Sequence, residues 1–99
     1  MASNLPIKNN EKNLHFELPN IDGETAYIEY RWYKGDLTLM HTFVPKAMEG
    51  QGVASSLAQF ALEYAKEKKL QIMVYCPFVG SYLQKHPEYA ILVDKKYHQ

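Results

Sequence analysis

The sequence predicts a small mixed α/β (α+β) domain: an antiparallel meander, a helical crossover to a parallel neighbouring strand, and helices packed on the sheet. Three observations predict it. Apolar residues alternate with polar ones in three early segments, which is the period of half-buried strands. Between residues 53 and 69 the apolar residues recur at helical spacing. A short, almost wholly apolar run follows at residues 71–76, as expected of a strand covered on both faces.

Met1 to Asn13 is polar and reads as a flexible lead-in, leaving residues 14–99 as a single domain. Leu14, Phe16 and Leu18 alternate with His15 and Glu17 in a first strand. Pro19 to Gly23 is a turn, with Asp22-Gly23 its strongest signal. From Thr25 to Tyr33 the chain is rich in β-formers, with Ala26, Ile28, Tyr30 and Trp32 on one face and Thr25, Tyr27, Glu29 and Arg31 on the other. Lys34-Gly35 turns the chain into Asp36 to Val44, completing a hairpin. Strict alternation along this strand groups His41 with Leu37, Leu39 and Phe43 on its more apolar face. A loop from Pro45 leads to a helix from Val53 to Lys69, with Val53, Ala54, Leu57, Ala58, Ala61, Tyr64 and Ala65 as its apolar stripe. Lys66, Lys68 and Lys69 suit the negative end of its dipole. Gln71 to Cys76 is the fourth strand. Pro77 opens a second helix running to about His86, and Pro87 ends it. Ala90 to Val93 forms a last short strand or a packed tail.

Composition excludes several classes. Ninety-nine residues make one domain, and 46% hydrophobic residues suffice for a core. Eleven basic residues balance eleven acidic ones, so the chain lacks the basic footprint of a nucleic-acid binder or a membrane-surface protein. It shows no signal-peptide-like run at its start and no membrane span. The single cysteine, Cys76, permits neither an internal disulfide nor a multi-cysteine zinc site, and no metal site is expected. These features point to a cytoplasmic protein, and a monomer is expected rather than an obligate oligomer.

The sharpest local feature is Glu49-Gly50-Gln51-Gly52-Val53-Ala54, between a strand and a helix. Glycines let the backbone bend tightly and approach a ligand closely. The first amides of a helix lack intrahelical partners, and the dipole there favours negative charge. Together these features form a phosphate cradle, although a plain glycine-rich connector has the same composition. No Gly-Lys-Ser or Gly-Lys-Thr triplet follows, so this is not a Walker loop. Ser55 stands where a dinucleotide fingerprint needs its third glycine.

The wider run carries more information. His41-Thr42-Phe43-Val44-Pro45, then Glu49 to Ala54, then Leu57, resembles the acetyl-CoA site of GCN5-related N-acetyltransferases (GNAT). Their loop pattern is Arg or Gln, two residues, Gly, one residue, then Gly or Ala. Gly52 and Ala54 match, and Glu49 replaces the usual Arg or Gln. Together with Cys76-Pro77-Phe78, Tyr82-Leu83 and His86-Pro87-Glu88-Tyr89, the run resembles the minimal one-domain members, over about Leu14 to Tyr89.

The resemblance implies a truncated GNAT fold in which the strands ending at Val44 and Cys76 splay apart. It implies acetyl-CoA or coenzyme A as cofactor. The pantetheine arm would lie in the cleft beside Thr42, Phe43, Val44 and Cys76, and the pyrophosphate on the amides of Gly50, Gln51, Gly52, Val53, Ala54 and Ser55. Phe78 and Tyr82, one turn apart on the second helix, would pack it on the sheet or wall the channel. The reaction implied is acetyl transfer to an amine acceptor, small molecule or protein, by direct attack on the thioester. Two departures stand out. The Glu49 carboxylate is expected to point away from the polyanion or to cap the loop. The family's tyrosine position falls on Leu83, not Tyr82, when Lys85 is aligned.

Two residues are the catalytic candidates. Cys76 falls at a strand end and a helix start, where a thiol is activated toward thiolate; a lone cysteine is otherwise a small buried hydrophobe. His41 serves as general base or cysteine partner if it faces the cleft, and as a hydrogen-bonded core residue if it does not. Three classes stay open: an acetyl-CoA-dependent N-acyltransferase, a coenzyme A-binding module with little turnover, and an interaction domain whose glycine turn is only a connector.

Overall fold

The computed structural model describes residues 5–20 and 23–96. Five strands form one sheet in sequential order: β1 (Lys8–Asn10), β2 (His15–Leu18), β3 (Ala26–Tyr33), β4 (Asp36–Phe43) and β5 (Ile72–Val74). The first four are antiparallel neighbours, and β5 lies parallel to β4. Helix α1 (Val53–Glu67) makes the crossover between them, and α2 (Pro77–Lys85) follows β5. The predicted α/β class and crossover are those observed.

The core is built as the periodicities require. Phe16, Leu18, Ala26, Ile28, Tyr30, Leu37 and Leu39 of the sheet are buried against Leu57, Ala58, Ala61, Leu62 and Ala65 of α1. Leu62, absent from the predicted stripe, is fully buried, while Ala54 and Tyr64 are half-buried. Phe16 is a hub of rings, stacked on Tyr30 at 4.6 Å and meeting Phe60 at 5.6 Å and Tyr64 at 5.2 Å. The β3–β4 turn has Lys34 at φ 50° and Gly35 at φ 85°, and two consecutive positive φ values match the right-handed twist of a hairpin. In the turn before β3, Gly23 donates its N–H to the Asn20 carbonyl at 3.1 Å; Asp22 lies outside the described residues, as do Met1 to Asn4 and His98.

Two expectations are corrected. The lead-in contains β1, whose Asn9 accepts a 2.6 Å hydrogen bond from the Tyr30 hydroxyl and whose Asn10 amide reaches Glu17 at 3.3 Å. An edge strand is held by backbone pairing, so β1 needs no alternating apolar pattern. Trp32 keeps to the Tyr30 face, the rings edge-on at 5.8 Å, and is 47% exposed; β2 pairs with β3 only as far as Glu29, so Trp32 projects past the end of its neighbour. Of the two endings expected for Ala90 to Val93 the structure takes the packed tail: Pro87–Leu92 is a 3-10 helix, Leu92 and Val93 pack against the core, and Val93 bridges Ile72 in parallel.

The second correction matters most for the site. His41 pairs with Glu29 and Leu39 with Tyr30, so Met40 is an extra residue, a β-bulge. Side chains alternate along a strand, so one extra residue flips every later position. Leu37 and Leu39 stay on the core face. His41 and Phe43 pass to the outer face with Glu29 and Tyr27, and Thr42 joins Ile28 on the face that carries α1. His41 is accordingly exposed.

Candidate functional site

The β4–β5 ladder ends at Leu39 and Val74. There the Leu39 carbonyl accepts two N–H groups, from Tyr75 at 2.9 Å and Cys76 at 3.1 Å. Past this point β4 continues to Phe43 while the other chain turns into α2, so the strands part. Cys76 is the residue preceding α2, with extended φ and ψ, and Pro77 fills the first helical position, where its missing N–H costs nothing.

Cys76 is 3% exposed. Its Sγ lies 2.9 Å from Thr42 Oγ1, with either group able to donate. This bond spans the opening between the strands. The expected pairing of His41 with Cys76 is not formed, because the bulge places His41 on the opposite face of the sheet from Thr42. His41 instead lies edge-on to Tyr27, with ring centroids 6.4 Å apart. Thr42 is the polar partner of the thiol, and no strict alternation starting from Leu37 finds it.

The glycine loop lies at the open end of β4. A 3-10 turn at Lys46–Met48 buries Met48 and anchors the loop, with the Met48 N–H on the Pro45 carbonyl at 2.9 Å. Gly50 has φ 79° and Gly52 φ 72°, and Gly52 is the residue before α1. A side chain at either position would meet nothing within 4 Å, so glycine is required by the backbone conformation rather than by crowding. Intrahelical bonding begins with the Ser56 N–H on the Gly52 carbonyl at 3.0 Å. The amides of Val53, Ala54 and Ser55 precede it and, among the described residues, have no carbonyl partner, which suits them to an anion. The first turn of α1 carries no acidic residue. Glu49 is exposed, and its backbone N–H closes on the Lys46 carbonyl at 3.2 Å.

From this loop a groove of about 530 Å³ runs between α1 and α2. Ser55, Ser56, Gln59 and Glu63 form one wall, and Phe78, Tyr82, Lys85, His86 and Tyr89 the other. Phe78 and Tyr82 pack against the core and line this groove. Tyr82 stacks on His86 at 4.2 Å. Burial, then the charges of Glu88 and Glu63, push the Tyr82 phenol above its ordinary value, so it stays protonated. Tyr89 donates to Glu63 at 2.5 Å, closing the end of the groove. Glu63 is exposed, and its contact across the groove comes from a residue 26 positions along the chain. Lys85 and His86 were missed as lining residues; two adjacent basic residues at the end of a short helix were the available signal. Among the described residues no helix is long and apolar enough to cross a membrane.

Comparisons agree with this geometry. The model of the GCN5-related N-acetyl-transferase family matches residues 15–92, most of the chain. The protein NATD1 of Xenopus tropicalis is 27% identical over 89 residues, covering 87% of this chain and 81% of that protein. NATD1 of Danio rerio is 26% identical over 93 residues, covering 90% and 84%. A GCN5-like protein from Staphylococcus aureus, solved in solution by NMR, superposes with a TM-score of 0.69 at 31% identity, covering 93% of this chain and 90% of that one. With its strand–glycine–helix loop, parted β4 and β5, and matched family model, the chain belongs to the GCN5-related N-acetyltransferase family.

Proposed function

We propose that the chain binds acetyl-CoA and transfers its acetyl group to an amine. The observation that carries this is the row of free amides at the start of α1, reached through Gly50 and Gly52 and placed at the open end of the β4–β5 splay. A pyrophosphate is the anion such a row accepts best, because helix dipole and amide donors act on it together. The pantetheine arm then lies along Thr42, Phe43 and Val44 toward Cys76, with Phe78 and Tyr82 on the α2 side. The exposed Glu49 carboxylate is free to turn into solvent, away from the phosphates.

The chemistry proceeds by direct attack. The amine nitrogen bonds to the thioester carbon, the carbon–sulfur bond breaks, and coenzyme A leaves as the thiolate. Cys76 and Thr42 hold one another at 2.9 Å and position the thioester. Cys76 is buried beside a threonine hydroxyl, with the imidazole of His41 on the other face, so among the described residues no base is placed to activate it as a nucleophile. His41 is our candidate to take the amine proton, from an acceptor arriving over the outer face of the sheet. The same separation of His41 from Cys76 supports a second reading, a coenzyme A-binding module with little turnover.

Initial-rate kinetics with acetyl-CoA and a panel of amines test these readings. The expected patterns are intersecting lines and a Cys76→Ala variant that loses less than the ~10²–10⁴-fold typical of a positioned acid–base group. His41→Ala is expected to lose within that range with coenzyme A affinity unchanged. Parallel lines together with an inactive Cys76→Ala protein would make Cys76 the nucleophile. Tight binding without turnover for every amine would favour the binding module.

A further inference from the structure

Asp36 opens β4 and Asp94 follows the C-terminal 3-10 turn, yet each is only 6% exposed. The tail is held at the free edge of β5: Val93 bridges Ile72, and the Asp94 N–H donates to the Ile72 carbonyl at 2.9 Å. The Lys96 N–H donates to Asp94 Oδ1 at 3.0 Å. Asp36 Oδ2 is buried and has no donor among the described residues. The carboxyl group within hydrogen-bonding reach of Asp36 is that of Asp94. Two ionised carboxylates have no hydrogen to share, so this contact needs one proton. Among the described residues, β3 presents Tyr33, the register partner of Asp36, β5 presents the apolar Ile72 and Met73, and the tail adds the exposed Lys96.

We propose that Asp36 and Asp94 form a one-proton latch that fastens the segment from Val93 to Lys96 to the sheet in mild acid and loosens it at neutral pH. Burial first, then the hydrogen bond and charge of Asp94, raise the Asp36 carboxyl to about 6. The hydrogen bond from Asp36, then that from Lys96, holds Asp94 below the ordinary carboxylate range. The two titrate as a pair. Because the Asp36 value is raised, its proton favours docking, and that contribution is lost as pH rises through about 6. Because the Asp94 value is depressed, its contribution is lost only as pH falls through that lower value. The latch is tightest between the two. Ala90, Val93 and Lys95 wall a cavity of about 660 Å³ whose other side is Cys76, Pro77 and Gly80, so loosening the tail widens access beside the thiol.

Amide exchange by NMR on the full chain, corrected for the intrinsic pH dependence of exchange, tests the latch. Between about pH 5 and about pH 7.5, protection of the Val93 and Asp94 amides is expected to fall by about tenfold, the factor left above pH 5 for a carboxyl raised to about 6, while α1 amides such as Leu62 stay unchanged. Asp36→Asn, whose amide donates to Asp94 at either pH, should keep the tail protected throughout. Asp94→Asn, which supplies the donor from the other side, should do the same. Equal wild-type protection at both pH values would overturn the latch. So would a loss persisting in both variants, or one shared by the α1 amides.

Discussion

Gly52→Val is expected to lower coenzyme A affinity by at least about tenfold in a protein that still folds. The residue sits at φ 72° immediately before α1. A β-branched side chain at positive φ costs about 1–3 kcal/mol, and about 1.4 kcal/mol is already a tenfold change in binding. The variant escapes that cost by moving the loop, which takes the free amides away from the phosphates. Binding must then restore the strained conformation, and that cost is taken from the affinity. There is room for the new side chain within the protein itself, with nothing within 4 Å of an added Cβ, so the loss falls on the ligand. Gly52→Asn is the companion, because asparagine tolerates the left-handed region and should retain more affinity than valine. Calorimetric titration with coenzyme A reads both. Wild-type affinity in a folded Gly52→Val protein would remove the loop from the site.

Phe16→Ala carries the largest expected effect on stability. Phe16 is completely buried, and its ring touches those of Tyr30, Phe60 and Tyr64. It joins β2 and β3 to α1, so no neighbour can collapse into the space without breaking a helix–sheet contact. Removing a buried phenylalanine ring costs about 3–5 kcal/mol. A small domain holds about 5–15 kcal/mol in total, so the variant should sit near the edge of unfolding. Urea denaturation measures it. A loss below about 1 kcal/mol would mean that Phe16 is not the hub its ring contacts describe.

The ease with which each part was read from sequence follows from what holds it. α1 was legible to within two residues because its stripe and its lysine-rich end are local signals. The hairpin turn was legible because two positive φ values call for Lys34-Gly35 or something like it. Pro77 marked the start of α2 and set Cys76 before it. The bulge at Met40 was not legible. Nothing in Leu39-Met40-His41 distinguishes an extra residue from a continuous strand, since the choice depends on how β3 pairs opposite. That one residue moved His41 to the outer face and left Thr42, not His41, as the polar neighbour of the Cys76 thiol. The far groove wall was hidden for a related reason: Glu63 meets Tyr89 only through the fold. The acidic pair of Asp36 and Asp94 is likewise a product of the tail returning to the sheet.

The most direct test of the account is a nitrogen–proton NMR titration of the wild-type chain with acetyl-CoA. Saturable shifts are expected at the amides of Gly50 to Ser55 and of Thr42 to Val44, with smaller ones at Phe78 and Tyr82 along α2. Spectra in which these amides stay fixed, or in which saturable shifts appear only at the outer face around Tyr27 and Arg31, would contradict it.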